Sequence, residues 1–301
     1  MSAAFTLSAA QYPVGEPSSF AEWEDKVSGW VADAAAAGSS LAVFPEYAAL
    51  ELTAIDPRAR SDLAWSLAWM ADRRGEIDAL HRRLATDHGL TICAASLPDR
   101  MADGRYRNLA RLFTPNGAMG EQPKQIMTRF EREQWGVASD PQLSVFDTPV
   151  GRLGIAICYD VEFPLITRAL VEAGATIILA PSCTDSLHGY HRVRIGAAAR
   201  ALENQCFVIQ SPTVGDAPWS PSLDENHGAA ALFGPADRGF PADGVVAEGE
   251  LDRPQWLHAT IDPALVDAVR TEGAVFNHRH WAEQPGASHG TRLTLAVIDL
   301  S

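Results

Sequence analysis

Short apolar runs of strand length alternate with amphipathic helical patterns along almost the whole chain, and that alternation commits it to an α/β fold. Thr6–Gln11, Leu41–Phe44, Leu90–Ser96, Leu153–Cys158, Thr176–Ala180 and Phe207–Ser211 read as strands. Phe20, Trp23, Val27, Trp30 and Val31 mark one face of a helix capped by Ser18 or Ser19 and stopped at Gly38. Ser61–His88 is a longer helical pattern closed by Gly89, and Leu165–Ala173 and His191–Asn204 are shorter ones. The turn Thr114-Pro115-Asn116-Gly117 folds Arg105–Phe113 back onto Gly117–Gln122, and Val150-Gly151 does the same for Leu143–Phe146. The stretch from Pro123 to Pro141 has no clean period and reads as a loop with a short helix. Ala229–Phe233, Val245–Glu250 and Trp256–Ile261 add strands, and Asp262-Pro263 opens a last helix. This mixture of hairpins and β-α-β units predicts two mixed sheets between layers of helix, not one doubly wound sheet. No linker, repeat or low-complexity tract divides the chain, so one domain is expected over residues 1–301, with an irregular extension from about residue 272.

The run Gly154-Ile155-Ala156-Ile157-Cys158 is followed at once by Tyr159-Asp160-Val161-Glu162-Phe163-Pro164. Pro164 suits the first turn of a helix, where its missing N–H costs nothing. A cysteine is thereby predicted at the end of a strand, on a strand-to-helix turn whose N–H groups and dipole favour a thiolate and then an oxyanion. A free cysteine is also often a buried small hydrophobe, so position alone does not assign it.

Composition narrows the classes. The net charge of -14 argues against nucleic acid or an anionic membrane as the main partner. No stretch approaches ~18 uninterrupted apolar residues, so no membrane span is expected. The start, Met1 to Leu7, lacks a basic and then apolar leader, and a cytoplasmic location is expected. Cys93, Cys158, Cys183 and Cys206 are scattered without a C-x-x-C pair, which disfavours disulfides and zinc. The pairs His188/His191 and His278/His280 match metal spacing only loosely.

Glu46 follows Val43-Phe44-Pro45, and Lys124 follows Glu121-Gln122-Pro123. Each alone would be a solvated loop charge. Together with Cys158 they place three reactive side chains at or just past the ends of apolar strands, where catalytic groups of α/β proteins collect. Phe44-Pro45-Glu46, Pro123-Lys124 and Gly154 through Pro164, in that order, resemble the nitrilase superfamily of carbon–nitrogen hydrolases. Arg168-Ala169-Leu170 with Gly174-Ala175, Arg200 through Asn204, His227-Gly228 and Phe233-Gly234-Pro235 extend the resemblance over roughly residues 5–265.

The resemblance implies a four-layer α-β-β-α sandwich and a Glu–Lys–Cys triad at Glu46, Lys124 and Cys158. It implies an assisting glutamate shortly after the lysine: Glu131 by its distance from Lys124, with Glu133 as the alternative. It gives the oxyanion the backbone N–H of Tyr159 and the ammonium of Lys124, and it places Ser182, Cys183 and Thr184 along the substrate pocket. The implied reaction is thiol-dependent hydrolysis of a non-peptide C–N bond in a small amide or N-carbamoyl compound, through a thioester on Cys158 and without metal or organic cofactor. A nitrilase, an N-acyltransferase and a catalytically silent binding member are the other readings. A homodimer or a larger assembly built on it is expected. Glu162 stands where many relatives carry arginine. It reads either as a pocket wall for an amine-bearing substrate, or as a carboxylate favoured in a first helical turn or paired with Arg168.

Overall fold

The computed structural model describes residues 3–287. Its elements run β1 (Phe5–Pro13), α1 (Phe20–Ala36), β2 (Ser39–Val43), α2 (Leu63–His88), β3 (Thr91–Arg100), β4 (Tyr106–Phe113), β5 (Met119–Pro123), β6 (Val145–Thr148), β7 (Gly151–Ile155), α3 (Pro164–Glu172), β8 (Ile177–Ser182) and α4 (Leu187–Asn204). They continue with β9 (Phe207–Val214), β10 (Ala231–Phe233), β11 (Val245–Glu248), β12 (Gln255–Ile261), α5 (Ala264–Glu272) and α6 (Asn277–His280).

Local chemistry sets the helix ends. Ser19 caps α1 by accepting from the Glu22 N–H, and the Glu22 carboxylate reaches back to Ser18. Asp62, not Ser61, caps α2, and Gly89 closes it in the left-handed region at φ +66. Helix α4 starts a turn earlier than the apolar pattern indicates, because the Ser186 hydroxyl accepts from the Gly189 N–H. The short α6 and a following 3-10 turn (Trp281–Glu283) fall inside the segment expected to be irregular, and residues 288–301 lie outside those described.

The strands form two mixed sheets. One runs β12-β1-β2-β3-β4-β5 and the other β6-β7-β8-β9-β10-β11. The expectation of two sheets holds, with an addition. They are joined at one corner by a parallel pairing of two residues, Tyr12 with Thr213 and Pro13 with Val214. The Ser211 hydroxyl fastens that corner, donating to the carbonyls of Ala10 (2.8 Å) and Val43 (2.9 Å).

Alternation along each strand sends one face inward and one to the helices. Leu7, Leu41 and Val43 join Leu153, Ile155, Ile177 and Leu179 in one buried cluster between the sheets. Ala10, Ala42, Phe44 and Ile92 pack with Trp23, Val27 and Val31 of α1 and Met70, Ile77 and Leu84 of α2. On the far side Gly154 leaves room for Ile178 and for Leu170 of α3, each about 3 Å from where a Cβ would stand. Helices α1 and α2 thus cover one sheet, and α3 and α4 cover the other.

His81 of α2 is buried between helix and sheet. It stacks on Phe113 with ring centroids 5.9 Å apart, and its Nδ1 lies 2.9 Å from the Ile77 carbonyl. Burial pushes its pKa down to about 4 from 6.5. Between those values the unfolded chain binds the proton and the folded chain does not. The neutral ring's contribution is therefore complete above about pH 6.5 and is lost as pH falls through about 4. At about 1.4 kcal/mol per unit this is ~3 kcal/mol. The His81→Leu variant should accordingly lose about 3 kcal/mol less than the native chain between pH 7 and pH 4 in urea unfolding. Equal losses in the two proteins would place the acid sensitivity elsewhere.

Candidate active site

Three chain segments converge at one end of the two sheets. Glu46 follows β2 at the point where Tyr47 takes φ +56 and opens a 3-10 helix, Ala48–Ile55. That helix is pinned by buried Glu51, which accepts from the Tyr12 hydroxyl (2.6 Å), the Gly15 N–H (2.6 Å) and the Lys26 ammonium (2.7 Å). Lys124 follows β5, its N–H still paired with the Asn108 carbonyl.

Cys158 does not end its strand. β7 stops at Ile155, and Cys158 opens a separate 3-10 turn, Cys158–Glu162, at φ +49. Positive φ is costly for a side chain with a Cβ and is held by its surroundings. Here Gly196 of α4 lies so close that a Cβ would meet the Val161 carbonyl oxygen at 3.1 Å. The Asp160 carboxylate accepts from the N–H groups of Gln125 and Ile126, tying the lysine loop to the cysteine turn. Burial pushes Asp160 up to about 7.

The side chains meet in a cavity of about 530 Å³, lined in part by Glu46, Lys124, Glu131, Cys158 and Tyr159. The Lys124 ammonium donates to Glu46 Oε1 and to Glu131 Oε2, each at 2.7 Å. Glu131 also accepts from the Tyr47 hydroxyl (2.8 Å), the Thr128 N–H (2.8 Å) and the Thr128 hydroxyl (2.9 Å). Glu46 Oε1 accepts in addition from the Asn108 amide (2.8 Å), and Oε2 from the Cys183 N–H (3.1 Å). The Cys158 thiol points at the Cys183 carbonyl, 3.7 Å away. Of the two candidate assisting glutamates, Glu131 is in the cluster. Glu133 is half-exposed and paired with Arg129.

Charge in this buried site is decided by magnitudes. Desolvating an ammonium costs several kcal/mol. One carboxylate near 4 Å returns only ~4 kcal/mol at an effective dielectric of 20, so the second carboxylate supplies the margin. Burial works against the Lys124 charge, but Glu131 and Glu46 outweigh it and hold its pKa well above the usual range. Burial alone would raise Glu131; the Lys124 ammonium and the Thr128 N–H more than offset it, and Glu131 lies low. Burial raises Glu46 against the pull of Lys124, with Glu131 adding to the rise. Cys158 is pushed well up, first by burial and then by the Glu46 carboxylate. Helix α3 begins at Pro164, as expected, but burial and the Glu46 carboxylate act against the thiolate that the turn would favour.

The pocket residues divide. Glu162, Cys183 and Thr184 line the cavity. Ser182 does not: it is the last residue of β8, fully buried, with its hydroxyl directed to the Ser211 carbonyl. Glu162 lies just before α3, not in its first turn, and pairs with Arg192 (3.5 Å). Arg168, its expected partner, instead binds Glu172 and the His278 carbonyl. The sequence reading missed Tyr47, Asn108 and Asp160. Tyr47 and Asp160 adjoin motif residues, which was the available signal; Asn108 sits in an ordinary strand and had none. Among the described residues, no group of three His, Cys, Asp or Glu side chains is arranged to hold a metal ion. Nor is any described helix long and apolar enough to cross a membrane.

Comparison with known proteins places the chain among carbon-nitrogen hydrolases. The chain is 33% identical over 265 residues to the probable hydrolase YhcX of Bacillus subtilis, covering 88% of this chain and 51% of that protein, so it spans about half that relative's length. It is 28% identical to the deaminated glutathione amidase of Bos taurus, over 83% of this chain and 74% of that one. Its fold is similar to that of a mutant of the amidase from Nesterenkonia sp. AN1, whose structure shows covalent addition of the acetamide moiety of fluoroacetamide at the active-site cysteine. That likeness has a TM-score of 0.69, 21% identity, and covers 93% and 97% of the two chains. Residues 6–270 match the carbon-nitrogen hydrolase family, and the chain belongs to it.

Proposed function

We propose that the chain is an amidase that cleaves a small amide or N-carbamoyl compound through a thioester on Cys158. The observation that carries this reading is the Lys124 ammonium held at 2.7 Å from both Glu46 and Glu131, on the wall of the cavity that Cys158 lines. Lys124 stays charged and so is not the base. Glu46, raised by burial, is the proton carrier.

Cys158 sulfur attacks the carbonyl carbon as its proton passes to Glu46. The Lys124 ammonium and the Tyr159 N–H stabilise the tetrahedral oxyanion. Glu46 returns the proton to the leaving nitrogen, the C–N bond breaks, and a thioester remains. Water then attacks the thioester, its proton going to Glu46 and on to the departing sulfur. The sum is amide plus water to carboxylic acid plus amine. The names of the amidase relatives favour an amide over a nitrile.

The wall supports a finer reading of the substrate. Outside the Lys124 cluster, four carboxylates (Glu162, Asp185, Asp224 and Glu225) and two guanidinium groups (Arg129 and Arg192) line the cavity. Arg129 is drawn to Glu133 and Arg192 to Glu162. This balance favours an amide that carries an amine over one that carries a carboxylate.

Cys158→Ala should abolish ammonia release from every member of a panel of amides, nitriles and carbamoyl compounds while leaving the thermal unfolding transition in place. Mass mapping of the trapped acyl adduct should find it on Cys158. An adduct on Cys93, Cys183 or Cys206 would end this assignment. Glu162→Gln should lower kcat/KM about tenfold for amine-bearing amides and leave neutral ones unchanged, the worth of one charge contact in a partly solvated wall. A uniform loss across the panel would make Glu162 a packing residue only.

A further inference from the structure

Asn108 of β4 is fully buried beside the cluster, and its amide nitrogen is shared between two carboxylates. Nδ2 lies 2.8 Å from Glu46 Oε1 and 3.5 Å from Glu131 Oε1. The rotamer with Oδ1 on that side would set a carbonyl against both carboxylates, so the neighbours fix the amide's direction. The two oxygens of Glu46 consequently differ. Oε1 has both lone-pair directions occupied, by the Lys124 ammonium and the Asn108 amide. Oε2 has one donor, the backbone N–H of Cys183, the residue whose carbonyl receives the Cys158 thiol.

We propose that Asn108 is a positioning residue that directs the shuttled proton of Glu46 to Oε2, the oxygen held by the Cys183 N–H, by filling Oε1. A second cation in this place would stabilise the Glu46 carboxylate and weaken it as a base. A neutral amide fills the lone pair and separates Glu46 from Glu131 without adding charge. The titratable groups that face Glu46 are Lys124, Glu131, Tyr47, Cys158, Cys183 and Asp160. Asn108 is a neutral side-chain donor set between these groups. Without it, Oε1 loses a hydrogen bond to the charged form and Glu46 holds its proton to higher pH.

The inference rests on Glu46 being the proton carrier, and one experiment separates the two. Iodoacetamide, itself a small amide, alkylates Cys158 only as the thiol proton leaves, so its rate against pH reports the Glu46–Cys158 pair without knowledge of the substrate. Adduct formation on Cys158 is followed by mass spectrometry in the native chain and in Glu46→Gln, Asn108→Leu and Asn108→Asp. In Glu46→Gln the native acid limb should give way to one set by the Cys158 thiol alone, at higher pH, with alkylation slowed below it. The native limb should move up by on the order of one pH unit in Asn108→Leu and further in Asn108→Asp, which adds a carboxylate. Asn108→Asp keeps the native shape and answers the question if the leucine variant does not fold. A profile lowered evenly at all pH values, with its limb unmoved in both Asn108 variants, overturns the role of Asn108 and leaves Glu46 standing. A limb that stays at its native pH in Glu46→Gln overturns the proton-carrier reading itself.

Discussion

The Lys124 ammonium between two buried carboxylates is the interaction on which the rest of the site depends. A single buried charge would be expelled or neutralised, and a buried carboxylate pair would share a proton. The three together form a stable group with one negative charge when Glu46 is ionised and none when it holds a proton. Glu131, with five donors around its two oxygens, stays ionised, and Glu46 is left as the adjustable member. The backbone around the cluster is arranged to keep it. The 3-10 helix after Glu46 is anchored through Glu51, the lysine loop through Asp160, and the cysteine turn by the close approach of α4.

Much of this was legible in the sequence because the signals are local. Apolar periodicity and caps located most strands and helices, with errors of a turn or less at their ends. Ser186 lies outside the apolar pattern of α4, so the cap that starts that helix was invisible to periodicity. The positions of Glu46, Lys124 and Cys158 were legible because each follows an apolar strand that ends in a loop. Asn108 was not, since an Asn inside Tyr106–Phe113 looks like any polar strand position until the partner across 62 residues is known.

Other differences came from tertiary context that no local pattern carries. The family resemblance puts Ser182 in the pocket with Cys183 and Thr184, but β8 runs one period of alternation further and the Ser182 hydroxyl turns inward to Ser211. Glu162 found Arg192 of α4 in place of Arg168, because α4 crosses directly over the cysteine turn at Gly196. The thiol's resting state depends on enclosure, which a strand-to-helix signature does not report.

The division of the fold into two sheets joined by a two-residue seam has a consequence for how the chain comes to life. Glu46 and Lys124 leave the ends of one sheet, while Cys158 and Cys183 leave the ends of the other. The contact between them from Glu46 to Cys183 spans 137 residues. Contacts of such separation form late, after shorter loops have closed. In the proposed reading the proton carrier Glu46 and the thiol of Cys158 therefore stand on different sheets, and they meet only where the two are joined.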